Sequence, residues 1–397
     1  MGLLKVCIVT HKKIYKSKNK LFAFGGYFSI LRQFLKNINE LTLIATGTTK
    51  KIQRFNYFSK ESNKLQIVTL KNTDSFFDKM FWQFALVLEL VRLQRINQFH
   101  LINIQIPSLY KLPLPLILAK LLNIPVILSV HGNWVPHSFK PTFLQSLLRS
   151  IELVVLRISL RFSSGVITAN SELAGKIRSL RFNKPIQVIP YGADLSRFNP
   201  SVKKITDFSP FILFVGQISK VKGVNSLLES FLNIKLNQPE LNLLLIGRKR
   251  ENYTFPSSIT KEINKSIHFL GYLPQNEVAK YMRTAEIVIL PSYSEGSPKV
   301  LCEALACGTP VIGTRIAGID EIIIDGMNGI LVSPNNIREL TTAIEKILAS
   351  KELSHRFSEN GQKIIQVKFN LELNIKKFVI FFQEILQTKL ESGSGAR

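Results

Sequence analysis

The sequence predicts an α/β protein of two Rossmann-like domains, each with a parallel sheet lying between layers of helices. Short apolar stretches alternate with helical patterns, and this alternation occurs once in each half of the chain. The predicted strands are apolar throughout, which is typical of parallel sheets buried on both faces. A chain of 397 residues is also too long for one ordinary core and suits two domains of roughly 200 residues each.

The first half of the chain contains the strands of the first predicted domain. Helical patterns separate these strands, and the longest of them cover residues 76–97 and 143–162. A polar and strongly basic stretch after the first strand predicts a loop there. The predicted strands cover residues 6–10, 41–46, 66–70, 101–105, 126–130, 165–169 and 187–190.

The second half repeats the pattern after a turn-rich stretch at residues 199–210, which predicts the boundary between the domains. We therefore expect an N-terminal domain at 1–200 and a C-terminal domain at 201–370. A last helical segment, at 371–390, is apolar on one face and is expected to pack back on a domain, the first in particular. The second set of predicted strands covers residues 211–215, 241–246, 267–270, 287–290, 311–313 and 329–332.

The composition excludes general disorder, because 46% of the residues are hydrophobic. No signal peptide is recognised at the start, and the most apolar window, residues 112–130, is interrupted by prolines and predicts a helix followed by a strand. The cysteines Cys7, Cys302 and Cys307 show no disulfide spacing, so buried, reduced thiols are expected. We expect a cytoplasmic protein that is in solution or held on a membrane surface.

The positive charge is concentrated in the first half. Lys and Arg number 52 against 27 Asp and Glu in the whole chain. Residues 1–200 hold 28 basic and 8 acidic side chains, whereas residues 201–397 hold 24 and 19. Such a field attracts polyanions, either nucleic acid or the anionic face of a membrane.

Two motifs of the first half follow strands, where ligands bind in doubly wound sheets. Gly25 and Gly26 precede a helix, and paired glycines let backbone N–H groups approach a phosphate, although a Gly-Gly pair is also an ordinary turn. His131 follows the strand at 126–130, and it is expected either to contact a sugar or the reacting centre, or to cap the next helix.

Two motifs of the second half also stand at strand ends. Gly216 ends the strand at 211–215, and Lys222 follows shortly before a helix, where its charge suits a diphosphate, although a solvated lysine is the ordinary alternative. The segment PSYSEGSPKVLCEALACGTPVIG at 291–313 carries Glu295 in a turn and Glu303 in the helix that follows. We expect Ser297 to cap that helix and its first N–H groups to receive phosphate or hydroxyl oxygens.

These pieces together resemble a known family, the retaining glycosyltransferases of family four, which are group 1 glycosyltransferases. The resemblance covers most of the chain, and the pair Glu295 and Glu303, eight residues apart, is its most specific part. It implies the GT-B fold, in which the two sheets face a central cleft. The other matching motifs are GG at 25–26, SVHG at 129–132, IPYGAD at 189–194, VG at 215–216, KG at 222–223, LGYL at 270–273, ACGTPVI at 306–312 and DGMNG at 325–329.

The resemblance implies a role for each site residue. Lys222 and the Gly26 backbone hold the donor diphosphate, and Glu303 binds the nucleotide ribose. Glu295 holds sugar hydroxyls and is not expected to be a nucleophile. His131 lies near the reacting carbon. The expected catalytic residues are Glu295, Lys222 and His131. The expected donor-binding residues are Gly25, Gly26, Gly216, Gln217, Lys222, Glu295, Gly296, Ser297, Pro298, Lys299, Val300 and Glu303.

Two features modify that picture. Gln217 stands where the family has an arginine, so the leaving group loses one positive charge, for which Lys220, Arg248 or Lys299 could substitute. The sequence contains no Asp-x-Asp, the carboxylate pair that holds a divalent metal in the other main glycosyltransferase fold. We therefore expect transfer without a metal or other cofactor.

The expected function is hexose transfer from a UDP-, GDP- or ADP-linked donor to a saccharide or lipid-linked saccharide, in cell-surface polysaccharide or glycolipid synthesis. The basic first half suits an anionic membrane, so we expect a peripheral protein on the inner face of the cell membrane, docked by basic loops and by residues 76–84. Three alternatives stay open: a non-catalytic GT-B subunit, a nucleic-acid-binding protein, which lacks any recognisable binding motif, and a nucleotide-sugar epimerase.

Overall fold

Two sheets organise the chain, and each lies in its own compact unit. Unit 1 contains the described residues up to Pro190 and those from Ile375 onward, and unit 2 contains Tyr191–Asn374. The structure is a computed structural model. It describes residues 4–17, 20–23, 27–47, 57–59, 64–71, 76–106, 113–131, 143–205, 207–259 and 265–394.

The sheet of unit 1 is mainly parallel. Its strands are β1 (Lys5–Ser17), β2 (Lys20–Ala23), β3 (Glu40–Gly47), β4 (Tyr57–Ser59), β5 (Leu65–Lys71), β6 (Leu101–Ile106), β7 (Val126–Val130), β8 (Gly165–Thr168) and β9 (Ile186–Val188). The order β5-β3-β1-β6-β7-β8-β9 is parallel at every step, and β2 and β4 add antiparallel pairs.

The first strand is longer than the sequence predicts. β1 continues through the basic stretch that we expected to be a loop, and its far part pairs with β2, from Ile14 opposite Ala23 to Ser17 opposite Lys20. The prediction of a loop was wrong because a hairpin partner supplies the backbone hydrogen bonds of β1. Ile14, only 1% exposed, anchors this extension in the core.

The helices of unit 1 cover both faces of its sheet. They are α1 (Tyr27–Asn37), α2 (Phe76–Asn97), α3 (Leu114–Leu121), α4 (Phe143–Phe162) and α5 (Ser171–Ser179). The side chains of α2 to α5 that point inward belong to one core with β6, β7 and β8. Helix α1 and the last helix of the chain pack together through Phe34, whose ring lies 5.7 Å from that of Phe378 and 6.2 Å from that of Phe382.

The described sheet of unit 2 is parallel throughout, in the order β12-β11-β10-β13-β14-β15. Its strands are β10 (Phe211–Val215), β11 (Asn242–Ile246), β12 (Ile267–Gly271), β13 (Ile287–Leu290), β14 (Val311–Thr314) and β15 (Gly329–Val332). The remaining helices are α6 (Val224–Lys235), α7 (Gln275–Thr284), α8 (Lys299–Ala306), α9 (Ile337–Ala349), α10 (Lys351–Lys368) and α11 (Leu371–Ser394).

The predicted fold class is confirmed: both units are α/β, with parallel strands and flanking helices. The apolar window at residues 112–130 divides into α3 and β7, as its sequence predicts. None of the helices in the described parts of the chain combines the length and apolar character that a membrane span requires. The three cysteines are unpaired and buried, and burial raises the pKa of each thiol, so none is a ready nucleophile.

Candidate functional site

The strand order of unit 2 creates a crevice beyond β10 and β13. These strands are neighbours, but the chain moves from β10 toward one edge of the sheet and from β13 toward the other. The segments that follow them therefore diverge and leave space at the carboxyl ends of the strands, where open parallel sheets bind ligands. Lys222 follows β10 and Glu295 follows β13, so both lie at this point.

An ion pair joins the two loops there. Nζ of Lys222 lies 2.6 Å from Oε1 of Glu295, and Oγ of Ser292 donates to the same oxygen at 2.7 Å. The side chains are 26% and 10% exposed, so water screens the pair only partly. A diphosphate that binds Lys222 must share or replace Glu295 as the partner of the ammonium group.

A close backbone approach holds Lys222 in this position. The turn Lys220–Lys222 ends at Gly223, which has a left-handed φ of 67° and begins α6. A Cβ at Gly223 would lie 1.8 Å from the carbonyl oxygen of Pro291, so only glycine fits between the loops. The N–H of Tyr293 donates to the carbonyl of Val221 at 2.9 Å and ties the two loops together.

Glu303 is the most deeply buried acidic side chain of the site. It lies in the middle of α8 with 9% of its surface exposed, and burial raises the pKa of its carboxyl group. The nearby charges of Lys299 and Arg197 lower this pKa, whereas that of Asp194 raises it. In the part of the chain that the structure describes, no hydrogen-bond donor reaches the carboxylate. A buried carboxylate without a donor is costly unless a ligand supplies one.

The segment between the two glutamates differs in one detail from the prediction. The residue that caps α8 is Pro298, without a side-chain hydrogen bond, so the expectation that Ser297 is the N-cap was wrong. Proline has no N–H, and its extended backbone ends the turn before the helix starts at Lys299. Gly296 and Pro298 are buried, whereas Ser297, Lys299 and Val300 are partly exposed.

The turn after β10 brings an arginine backbone next to Gln217. Gly216 follows the strand, and a Cβ on Gly247 would lie 1.8 Å from its carbonyl oxygen. The N–H of Ile218 donates to the carbonyl of Arg248 at 2.8 Å. Gln217 and Arg248 are both exposed, and their backbones lie on adjacent paired segments.

The predicted site residues of the first half are only partly described. His131 directly follows β7 and is partly exposed, at the carboxyl end of a strand as predicted. Gly25 and Gly26 lie outside the described residues. These positions belong to unit 1.

Sequence reasoning missed two contributors in unit 2. Ser292, which donates to Glu295, lies two residues after the end of β13 at Leu290, and this position near a strand end was an available signal. The charge of Arg197 lowers the pKa of the Glu303 carboxyl, and Arg197 donates a hydrogen bond to the side chain of Gln275. No local pattern marks Arg197, because it lies about a hundred residues before Glu303 in the chain.

Solved structures share this fold. Sucrose-phosphate synthase from Thermosynechococcus elongatus superposes with a TM-score of 0.78 at 18% identity, over 97% of this chain and all of that one. Anabaena HepE, solved in complex with UDP and glucose, has a TM-score of 0.69 at 18% identity, over 96% of this chain and all of that one. The fold is therefore the two-domain α/β fold of the GT-B class.

Sequence comparisons then identify the family. The model "Glycosyl transferases group 1" matches residues 197–364, and "Glycosyltransferase Family 4" matches residues 28–197. An uncharacterized glycosyltransferase of Methanocaldococcus jannaschii is 35% identical over 162 residues, which are 41% of this chain and 44% of the relative. The alignment thus spans less than half of that relative. The chain belongs to the group 1 glycosyltransferases of family four.

Proposed function

We propose that this protein transfers a hexose from a nucleotide-sugar donor to a saccharide or lipid-linked saccharide, with retention of the anomeric configuration and without a metal. The observation that carries the proposal is the carboxylate of Glu303 in α8, which is buried and receives no hydrogen bond from the residues that the structure describes. Ribose has two adjacent hydroxyl groups that can donate to such a carboxylate.

The remaining site residues divide the donor between them. Lys222 and the N-terminal end of α8 offer positive charge to the diphosphate, which gains negative charge as it leaves. In the proposed step, the bond from the anomeric carbon to the diphosphate oxygen breaks, and a bond to the acceptor hydroxyl oxygen forms on the same face. The acceptor proton passes to the departing diphosphate. Glu295 binds sugar hydroxyls of the donor.

UDP is the first nucleotide to test. The HepE structure contains UDP and glucose, and the shared fold supports a nucleotide sugar of this kind as donor here. The GDP- and ADP-linked sugars remain candidates, since base selectivity depends on a few pocket contacts. We also propose that the basic first half directs the protein to an anionic membrane on the cytoplasmic side, where a lipid-linked acceptor for polysaccharide or glycolipid synthesis would be presented.

A thermal-shift measurement and a donor panel test this function. UDP, GDP or ADP should raise the melting temperature in the presence of a chelator, and Glu303→Ala should remove that shift. The panel of nucleotide sugars is then read by the nucleoside diphosphate released with and without acceptor. No shift with any of the three nucleotides would reject the proposal, and a shift that needs added Mg²⁺ would reject its metal independence.

A non-catalytic GT-B subunit is the second candidate, and Gln217 is the observation that favours it. An exposed glutamine donates to phosphate but adds no positive charge for the leaving group. This candidate predicts that the protein binds a nucleoside diphosphate and transfers no sugar alone. Transfer that appears only after Gln217→Arg would support it.

A further inference from the structure

The outer surface of three neighbouring helices in unit 1 is unusually apolar. Helices α2, α3 and α4 contact one another in sequence, and their inner sides share one core, so their outer sides point away from the sheet. Of the eighteen large hydrophobic side chains that are exposed in the described residues, nine lie on this layer. They are Phe84, Leu88, Ile96, Leu121, Leu122, Ile151, Leu153, Val154 and Ile158. We call this set the helix-layer surface.

The arrangement is clearest on α4. Ile151, Val154 and Ile158 recur at helical spacing and are 51%, 52% and 38% exposed, which places them in one stripe. Leu156 and Leu160 of the same helix are buried in the core. Helix α4 is therefore apolar on two opposite sides, whereas a helix that only covers a sheet needs one apolar side.

Basic side chains accompany the apolar ones. Arg157 and Arg161 are exposed on α4, and Arg95 and Lys120 are exposed on α2 and α3. None of these four has an ion pair within the described residues. Lys184 also lies here, because it donates to the carbonyl of Arg161 at 3.1 Å. Burial lowers the pKa of Lys184, and the charge of Lys120 lowers it further.

Helix α5 provides an internal comparison. It follows α4 on the same face of the sheet, and its inner residues Leu173 and Ile177 join the same core. Its exposed side carries Lys176, Arg178 and Ser179 and none of the large hydrophobic residues. An apolar outer surface is therefore a property of α2, α3 and α4 and not of every helix on this face.

We propose that the helix-layer surface is where the protein docks on an anionic lipid bilayer. Aliphatic side chains beside arginines on a helix lying flat are suited to the boundary between headgroups and acyl chains, since the arginines reach phosphates while the aliphatic groups enter the bilayer. The inference rests on the proposed peripheral location and moves the contact from the basic loops to this helix layer.

Two other occupants fit less well. A second copy packed by a two-fold axis would gather Arg157 and Arg161 of both copies in one interface, because both copies use the same patch, and the repulsion among these arginines would weaken it. A nucleic acid would satisfy the arginines but would leave the aliphatic side chains in water, because its surface is lined by phosphates. An anionic bilayer satisfies both kinds of side chain at once.

Vesicle sedimentation tests the surface. The wild-type chain should bind phosphatidylcholine vesicles that contain phosphatidylserine, and bind phosphatidylcholine alone much more weakly. Arg157→Gln with Arg161→Gln should weaken binding by roughly 25-fold, at about fivefold for each charge. Ile151→Ser with Ile158→Ser should reduce binding by a similar factor. It should also lower the fraction of protein that stays bound to vesicles at high salt concentration. The control for the arginine variant is Lys346→Gln with Lys351→Gln, and the control for the serine variant is Leu236→Ser. All three positions are exposed and lie in unit 2, so both controls should bind vesicles as the wild type does.

Each outcome has one meaning for the surface. Equal binding by the α4 variants and the wild type would overturn the proposal, as would no binding at all. A wild-type dimer in sedimentation velocity that the serine variant abolishes would assign the surface to a second copy, and stronger binding to duplex DNA than to vesicles would assign it to nucleic acid. The UDP thermal shift is measured without vesicles on every variant, so it verifies folding. If UDP, GDP and ADP all fail to shift the melting temperature while vesicles bind, the transferase proposal is wrong and the docking surface stands.

Discussion

Nζ of Lys222 lies 2.6 Å from Oε1 of Glu295, and the contact joins the segments that follow two adjacent parallel strands. The two residues are separated by 73 positions in the chain. Both were expected to hold the donor, one through its diphosphate and the other through its sugar. Because of their direct contact, a diphosphate that binds Lys222 would compete with a carboxylate for the same ammonium group.

Lys222→Ala should weaken UDP binding by about 10- to 150-fold, because a hydrogen bond to a charged group contributes roughly 1.5–3 kcal/mol. Isothermal titration calorimetry measures the change. Lys346→Ala, which removes an exposed lysine from α9, is the control and should bind UDP as the wild type does. Equal affinity of the Lys222 variant and the wild type would remove Lys222 from the donor site.

Glu295→Gln should have opposite effects on UDP and on sugar transfer. The amide no longer competes as an anion for Lys222, so UDP should bind several-fold more tightly. Transfer should fall, because a sugar hydroxyl loses a charged acceptor. The two quantities are measured by calorimetry and by release of UDP from UDP-sugar. Weaker UDP binding would show that Glu295 positions Lys222 for the diphosphate and does not compete with it.

The pH dependence of UDP binding should reveal Glu303. Burial raises the pKa of its carboxyl above the ordinary 4.5, and a ribose diol donates best to the ionised form. UDP affinity should therefore rise as the pH increases through the raised pKa, with release of a proton. The free protein binds more protons in this window than the unfolded chain does, so its stability should fall over the same rise in pH.

Calorimetry in buffers of different ionisation enthalpy counts the released proton, and Glu303→Gln serves as the comparison. The variant should not release that proton, and its UDP affinity should depend less on pH than that of the wild type. Ionisation of UDP itself affects both proteins equally. Identical pH profiles for the wild type and the variant would contradict the assignment of Glu303 to the ribose.

Gln217→Arg should raise the rate of UDP release from UDP-sugar by about tenfold, since it adds a charge-assisted contact to the leaving diphosphate. Gln238→Arg is the matched control. It adds the same charge at an exposed position before β11, at the opposite end of the strands, and should leave the rate unchanged. An equal increase in both variants would indicate a general effect of charge rather than a local one.

Gly223→Ala should destabilise unit 2, because its φ of 67° and the carbonyl of Pro291 at 1.8 Å leave no room for a methyl group. The expected loss is about 1–3 kcal/mol or more, seen as a lower melting temperature. Gly175→Ala is the contrasting variant, since nothing lies within 4 Å of its added Cβ in α5. It should raise stability by up to about 1 kcal/mol. A Gly223 variant as stable as the wild type would show that the loops can separate.

The regular elements were predictable because their signals are local. The predicted bounds of α2, α4, β7, β10, β13 and β15 agree with the structure, since hydrophobic periodicity and turn residues lie within each element. The extension of β1 was not predictable from its own residues, because lysines around Ile14 resemble a loop until β2 pairs with them. The cap of α8 was missed for a related reason: Ser297 has the right side chain, but the backbone of Pro298 decides where the helix begins.

The sequence by itself determined the two α/β units, the concentration of positive charge in the first half, and the family, because motifs such as the two glutamates at 295 and 303 are contiguous patterns. Only the tertiary structure decided the ion pair of Lys222 with Glu295, the proximity of Arg197 to Glu303, and the apolar outer side of α2, α3 and α4. These depend on contacts between segments distant in the chain and on which side of a helix the sheet covers. The local sequence pattern reveals neither the contacts between distant segments nor the covered side of a helix, since packing between elements sets both.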